Sequence, residues 1–242
     1  MRAAPECGTV DRMVLRSVLA SLVDLVLPRA CVGCGRSGPP LCAGCQPREL
    51  PLHVWAGGMD VCASGAYERA LRSALIAYKE HGRHDLAPPL GRLLARAVAA
   101  GAADRAVLVP IPSTAAASRA RGGDQLLGLV RVAARQAHVP VERPLAFARA
   151  VEDSAGLDRA ERAANLREAM VSRPPRGPRP AVIVDDIVTT GATLREARRA
   201  LLSAGWTVAG AAAVAATPRH APDSLPLARS GRAVYRGHDL TE

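Results

Sequence analysis

The stretch from Ala181 to Thr193 constrains the fold of this chain more than any other. It reads AVIVDDIVTTGAT. The four leading apolar residues, Ala181 to Val184, predict a strand buried on both faces, as parallel sheets require. Asp185 and Asp186 follow where such a strand would emerge. Thr189, Thr190, Gly191, Ala192 and Thr193 then make a short turn of hydroxyls and small residues. The sequence LREARRALLSAG that comes next has the spacing of an amphipathic helix, closed by Ala204 and Gly205. Strand, acid pair, turn and helix start in this order can hold a sugar phosphate. Backbone N–H groups at a helix start receive phosphate, and carboxylates are strong acceptors for ribose hydroxyls. The competing reading is a βα turn of any doubly wound fold, with the two acids as an N-terminal charge cluster.

The rest of the chain alternates in the same way. Helices are expected over residues 67–78, 88–100 and 124–138, the second opened by Pro88 and Pro89, since proline suits a first turn. Strands are expected at 107–111, 144–149, 168–172 and 207–217. A loop with Pro112, Ser113, Arg119, Arg121, Gly122 and Gly123 follows the strand at 107–111. A polar stretch occupies 151–165, and a Pro/Arg/Gly-rich linker occupies 173–180. This order predicts an α/β fold with a parallel sheet, right-handed crossovers and a ligand site at the carboxyl ends of the strands. The loops after 111 and 184 would share that edge.

Cys31, Cys34, Cys42 and Cys45 form a C-x2-C-x7-C-x2-C pattern. Each knuckle aims two thiolates at one point, and two knuckles complete the four-sulfur set of structural zinc. No coordination position stays open, so the expected role of Zn2+ is to fold a small lobe. A pair of redox disulfides is the alternative, and the doubled knuckle favours zinc. Cys7 and Cys62 read as ordinary thiols.

Three units are expected: an N-terminal helix and zinc lobe over 1–60, an α/β domain over 61–217 and a flexible C-terminal tail over 218–242. The lobe joins the domain through a Pro/Gly-containing connection with Pro47, Pro51, Gly57 and Gly58. The apolar segment from Met13 to Leu27 is interrupted by Arg16 and Asp24 and is too short to span a bilayer. It reads as an amphipathic helix packed on the body of a cytoplasmic protein, without stable membrane insertion.

The net charge of +10 invites a nucleic-acid reading, but aromatics make up only 2 % of the chain, so stacking platforms for single strands are scarce. Charge alone fits polyphosphates as well as nucleic acid. Lys79 is the only lysine, in a chain that otherwise uses arginine for every basic position. Such a position suits a compact ammonium rather than a planar fork.

The segment 181–193 resembles the signature of type I phosphoribosyltransferases, which bind phosphoribosyl pyrophosphate (PRPP). Wider elements are similar to the ComF family, phosphoribosyltransferase-like proteins named for competence and DNA uptake. These elements are the cysteine knuckles; Tyr67 to Arg72 with Ala77 to Lys79; Val109 to Pro112; Arg119 to Gly122 with Gln125; Gly156-Leu157 with Arg162 and Asn165; and the acid-pair turn. They run from about residue 25 to residue 217.

The resemblance implies that Asp185 and Asp186 hold the ribose hydroxyls and that the 189–193 turn holds the 5′-phosphate. It implies a pyrophosphate loop at Ser113, Arg119 and Arg121, and lid or hood roles for Lys79, Arg162 and Asn165. Mg2+ would accompany the phosphorylated ligand, and the reaction would be phosphoribosyl transfer to an unknown acceptor. The alternative is a non-catalytic accessory of DNA uptake that binds single-stranded DNA or a helicase partner. Two departures stand out. Where many relatives have Arg-Gly-Phe-Asn-Gln, this chain has Arg121-Gly122-Gly123-Asp124-Gln125, and Ser154 stands where glutamine is common.

Overall fold

The computed structural model describes residues 30–48, 51–101, 105–114, 118–119, 122–149 and 166–217. Five strands form the central sheet, in the order β1-β2-β7-β6-β3. They are β1 (Leu52–Ala56), β2 (Met59–Ala63), β3 (Val107–Pro110), β6 (Ala181–Val188) and β7 (Val208–Ala216). Strands β2, β7, β6 and β3 run parallel, and β1 is the antiparallel edge. Among the described residues four α-helices pack around the sheet: α1 (Arg69–Glu80), α2 (Ala87–Gly101), α3 (Gln125–Ala137) and α4 (Ala192–Ser203).

The sequence explains this layering. Strand β6 opens with four buried apolar residues, and β7 is built almost wholly of alanine, valine and glycine, all but Ala209 buried. Such small side chains let helices approach the middle of the sheet closely. Gly91 of α2 lies against Val132 of α3, where an added Cβ would come within 2.5 Å of the valine Cβ. Leu90, Leu93, Leu94, Leu129 and Val130 fill the helix–sheet layer, each worth roughly 1.5–3 kcal/mol of burial.

After β3 the chain forms α3 and returns beside β3 at Val141, which bridges Leu108 in parallel. After β6 it forms α4 and moves the other way, to β7. The strand order therefore reverses between β3 and β6. A crevice opens at such a reversal, outside the carboxyl ends of the strands.

Three expectations are corrected. The segment around Gly57 and Gly58, read as a connection, is a β-hairpin that joins the main sheet through β2. The 60/61 boundary therefore falls within β2. The segments near 144–149 and 168–172 form β4 (Leu145–Phe147) and β5 (Met170–Ser172), a separate antiparallel pair outside the parallel sheet. Their sequences, LAF and MVS, are almost wholly apolar, yet within the two strands only Leu145 and Met170 are buried. Finally, β6 does not end before the acids; it continues through Asp185 and Asp186 to Val188, because β7 keeps pairing with it as far as Ala216. Among the described residues no helix is long and apolar enough to cross a membrane. The segment from Met13 to Leu27 and residues 218–242 lie outside the described residues.

Candidate functional site

Strand β6 outruns its neighbour. The last pairing with β3 is Pro110 to Val184, with the Ile111 N–H donating to Val184 O at 3.0 Å. From Asp185 onward β6 has β7 on one side only, so both acids hang at the crevice. The Asp186 N–H donates to Asp185 Oδ1 at 2.9 Å. Burial and the adjacent Asp186 charge push the Asp185 carboxyl up, to about 8, against the pull of Lys79 and of that N–H. Two adjacent acids in a poorly hydrated place resist double ionisation.

Lys79 meets this charge. Its Nζ lies 2.9 Å from Asp186 Oδ2, with the side chains 24 % and 14 % exposed. The lysine stands in the last turn of α1, and that turn is pinned from outside. Gln125 Nε2 donates to Tyr78 O at 2.9 Å and to Lys79 O at 3.4 Å, while the Tyr78 hydroxyl donates to Gln125 O at 2.9 Å. Burial, with the charges of Asp186 and Asp124, raises the Tyr78 phenol above its ordinary range.

Asp124, one of the two departures, has a structural role. It is the N-cap of α3 and accepts from Leu127 N at 3.1 Å. It also accepts from Ser113 Oγ at 3.1 Å and from Arg143 Nη2 at 3.3 Å. Aspartate and asparagine cap helices about equally well, so the replacement keeps the cap while adding charge near the β3 loop.

The turn after β6 enters α4 through Gly191, which is buried and left-handed at φ 74°. No side chain caps this helix. Thr190 Oγ1 accepts from Ala192 N at 3.3 Å, inside the turn. A helix start left without a capping side chain has N–H groups to offer an anion.

Asp185, Asp186, Lys79 and the 189–193 turn thus converge on the carboxyl end of β6, and Ser113 reaches the same edge through Asp124. Arg119 is exposed and has no carboxylate partner among the described residues. Arg121, Ser154, Arg162 and Asn165 lie outside the described residues. Sequence reasoning missed the Tyr78–Gln125 clasp and the close packing of Gly57 on the turn. A Gly-Gly pair between two alternating runs was the available signal for that hairpin.

The four cysteines lie together, with their Sγ atoms all within 4.8 Å of one another. Cys34 and Cys42 are 3.8 Å apart at sulfur. A tetrahedral zinc with Zn–S near 2.3 Å has sulfur–sulfur edges of about 3.8 Å, so the four residues could hold zinc. The N–H groups of Gly33 and Cys42 point at Cys31 Sγ, each at 3.4 Å. Burial acts to raise the Cys31 thiol, but the N–H groups of Cys42, Cys34 and Gly33 outweigh it and bring it down to about 6. The lobe sits directly on the start of α1, where a Cβ at Gly33 would come within 2.6 Å of Ala70 Cβ.

Residues 121–234 match the family model described as the phosphoribosyl transferase domain. The domain this chain resembles is a phosphoribosyl transferase. The match contains the acid pair and its turn, and leaves Lys79 and the cysteine lobe outside it. Together with the mixed α/β topology and mostly parallel sheet, it supports a type I phosphoribosyltransferase fold. No curated protein matches the chain.

Proposed function

We propose that the protein is a ComF-like member of the phosphoribosyltransferase group that binds PRPP with Mg2+ and transfers its phosphoribosyl group to an acceptor. The observation that carries this reading is the acid pair at the open end of β6, countered by Lys79 at 2.9 Å and followed by a helix start without a capping side chain. Asp185 and Asp186 accept hydrogen bonds from the ribose hydroxyls. The backbone of Thr189, Thr190, Gly191, Ala192 and Thr193 receives the 5′-phosphate. Ser113, Arg119 and Arg121 serve the pyrophosphate, and Lys79, Arg162 and Asn165 are the lid or hood residues that the resemblance implies. Mg2+ supplies charge neutralisation of the phosphates when bound. The protein groups orient the sugar and stabilise charge where it develops. Zinc in the Cys31, Cys34, Cys42 and Cys45 set serves folding, not transfer.

The test is heat stability and calorimetric titration with PRPP and Mg2+. Stabilisation of the wild type, lost in Asp185→Ala/Asp186→Ala, is expected. No stabilisation, with no effect of that double substitution, would sink the reading.

A second reading is favoured by one surface. Helices α2 and α3 expose Arg92, Arg96, Arg131 and Arg135, and neither helix carries an acid. None of the four has a carboxylate partner among the described residues. Because Gly91 meets Val132, Arg92 and Arg131 stand at the same level. This face suits a phosphate backbone, in keeping with a DNA-handling accessory role. Steeply salt-dependent binding of single-stranded DNA, weakened by Arg→Gln changes here and indifferent to the acid pair, is its signature.

A further inference from the structure

The sugar-phosphate turn has no side chain of its own at its sharpest point, so something else must hold it in shape. The β1–β2 hairpin does. Its two-residue turn, Gly57-Gly58, has φ of 64° and 79°, the conformation of the tight hairpin turns that glycine favours. A Cβ built on Gly57 would lie 2.8 Å from Arg195 N, 2.8 Å from Leu194 Cβ and 3.0 Å from Gly191 O. All three belong to the turn or to the first turn of α4. The approach is reciprocal: a Cβ on Gly191 would lie 2.5 Å from Gly57 N and 2.9 Å from Ala56 Cβ. Main chain therefore packs on main chain, with no side chain able to give way.

We propose that Gly57, at the tip of the β1–β2 hairpin, is a positioning residue for the phosphate site that sets the Gly191 turn. The proposal rests on the sugar-phosphate reading of that turn. An anion held by several backbone N–H groups needs them to converge, and displacements under 1 Å weaken all of them together. Gly57 sets the floor against which Gly191 O and the amide of Arg195 lie. That amide already donates to Gly191 O at 2.9 Å, so pressure at Gly57 is transmitted to the turn through one short bond.

The neighbouring residue supplies the control. Gly58 shares the left-handed backbone, yet a Cβ there would meet nothing closer than Arg198 Nη1 at 3.7 Å. Alanine at either position carries the same kind of backbone strain. Only alanine at 57 also presses on the phosphate turn.

The experiment is calorimetric titration of the full chain with ribose 5-phosphate, well below the melting temperature of each variant. Gly57→Ala is expected to weaken binding by about tenfold or more, while Gly58→Ala stays within about threefold of wild type despite a comparable drop in Tm. Equal affinities in the two variants would overturn the proposal while leaving the site itself standing. A wild type that binds neither ribose 5-phosphate nor PRPP would overturn both the proposal and the reading beneath it. Should Gly57→Ala not fold, amide exchange in the wild type decides. Ribose 5-phosphate should slow exchange at Gly57 together with residues 192–195, and no slowing at Gly57 contradicts the proposal.

Discussion

Two acidic regions, one buried and one half-buried, lie on consecutive elements and behave in opposite ways. Glu196 of α4 is clasped: it accepts from Met170 N at 2.9 Å, from Arg199 Nε at 2.9 Å and from Arg199 Nη2 at 2.7 Å. Arg199 in turn donates to Met170 O at 2.8 Å, which ties β5 to the helix. Burial acts to raise this carboxyl, yet Arg199 and the Met170 N–H hold it below the usual range. Asp185 is half-buried beside a like charge and is pushed the other way. A carboxylate whose lone pairs are filled by the fold serves the fold. One crowded by a like charge, with a single lysine at its neighbour, is what a ligand site of the proposed kind would use.

Glu196→Ala should be the more damaging change to stability, since it strands Arg199 and frees β5. A loss on the order of 3 kcal/mol is expected, read by chemical denaturation. A negligible loss would erase the contrast. Asp185→Asn with Asp186→Asn should leave stability unchanged or raised while cutting PRPP affinity on the order of 10-fold or more, chiefly through the charge-assisted bond of Asp186. Titration calorimetry checks this, and a large loss of stability instead would put the pair in the class of Glu196.

The contrast also has a pH signature. A carboxyl near 8 in the fold and about 3.9 in the unfolded chain leaves the folded state holding the extra proton in between. The Asp185 contribution to stability therefore falls as pH rises from about 4 to about 8. Glu196 has the opposite sign: its contribution is present above the unfolded carboxylate range and is lost as pH falls through the depressed folded value. Tm against pH for wild type and Asp185→Asn should diverge progressively over pH 4–8, the variant being the more stable. Parallel curves would contradict this. The smallest effect belongs to the third acid. Asp124→Asn keeps the α3 cap, and a stability change within about 0.5 kcal/mol is expected.

The sequence made the acid-pair region legible because strand, turn and helix there are contiguous, and each step has its own residue chemistry. The cysteine lobe was legible for a similar reason, since ligand spacing is local. What escaped was contact between segments far apart in the chain. Gln125 reaches Tyr78 and Lys79 across more than forty positions, and no periodicity encodes that. The hairpin at Gly57 was hidden by its composition, because Pro and Gly nearby suggested a connection. The end of β6 was misplaced because charge is a poor strand signal; pairing with β7 decided it.

Helix α1 is twelve residues long, about 18 Å from end to end. Its first turn, without a side-chain cap, rests on the cysteine knuckle at Gly33, and its last turn carries the ammonium that faces Asp186. The knuckle is thus the footing of a strut whose far end stands over the acid pair. Lys79 thus stands beside the carboxylate on a strut braced at both ends, by the lobe at its foot and by Gln125 at its head.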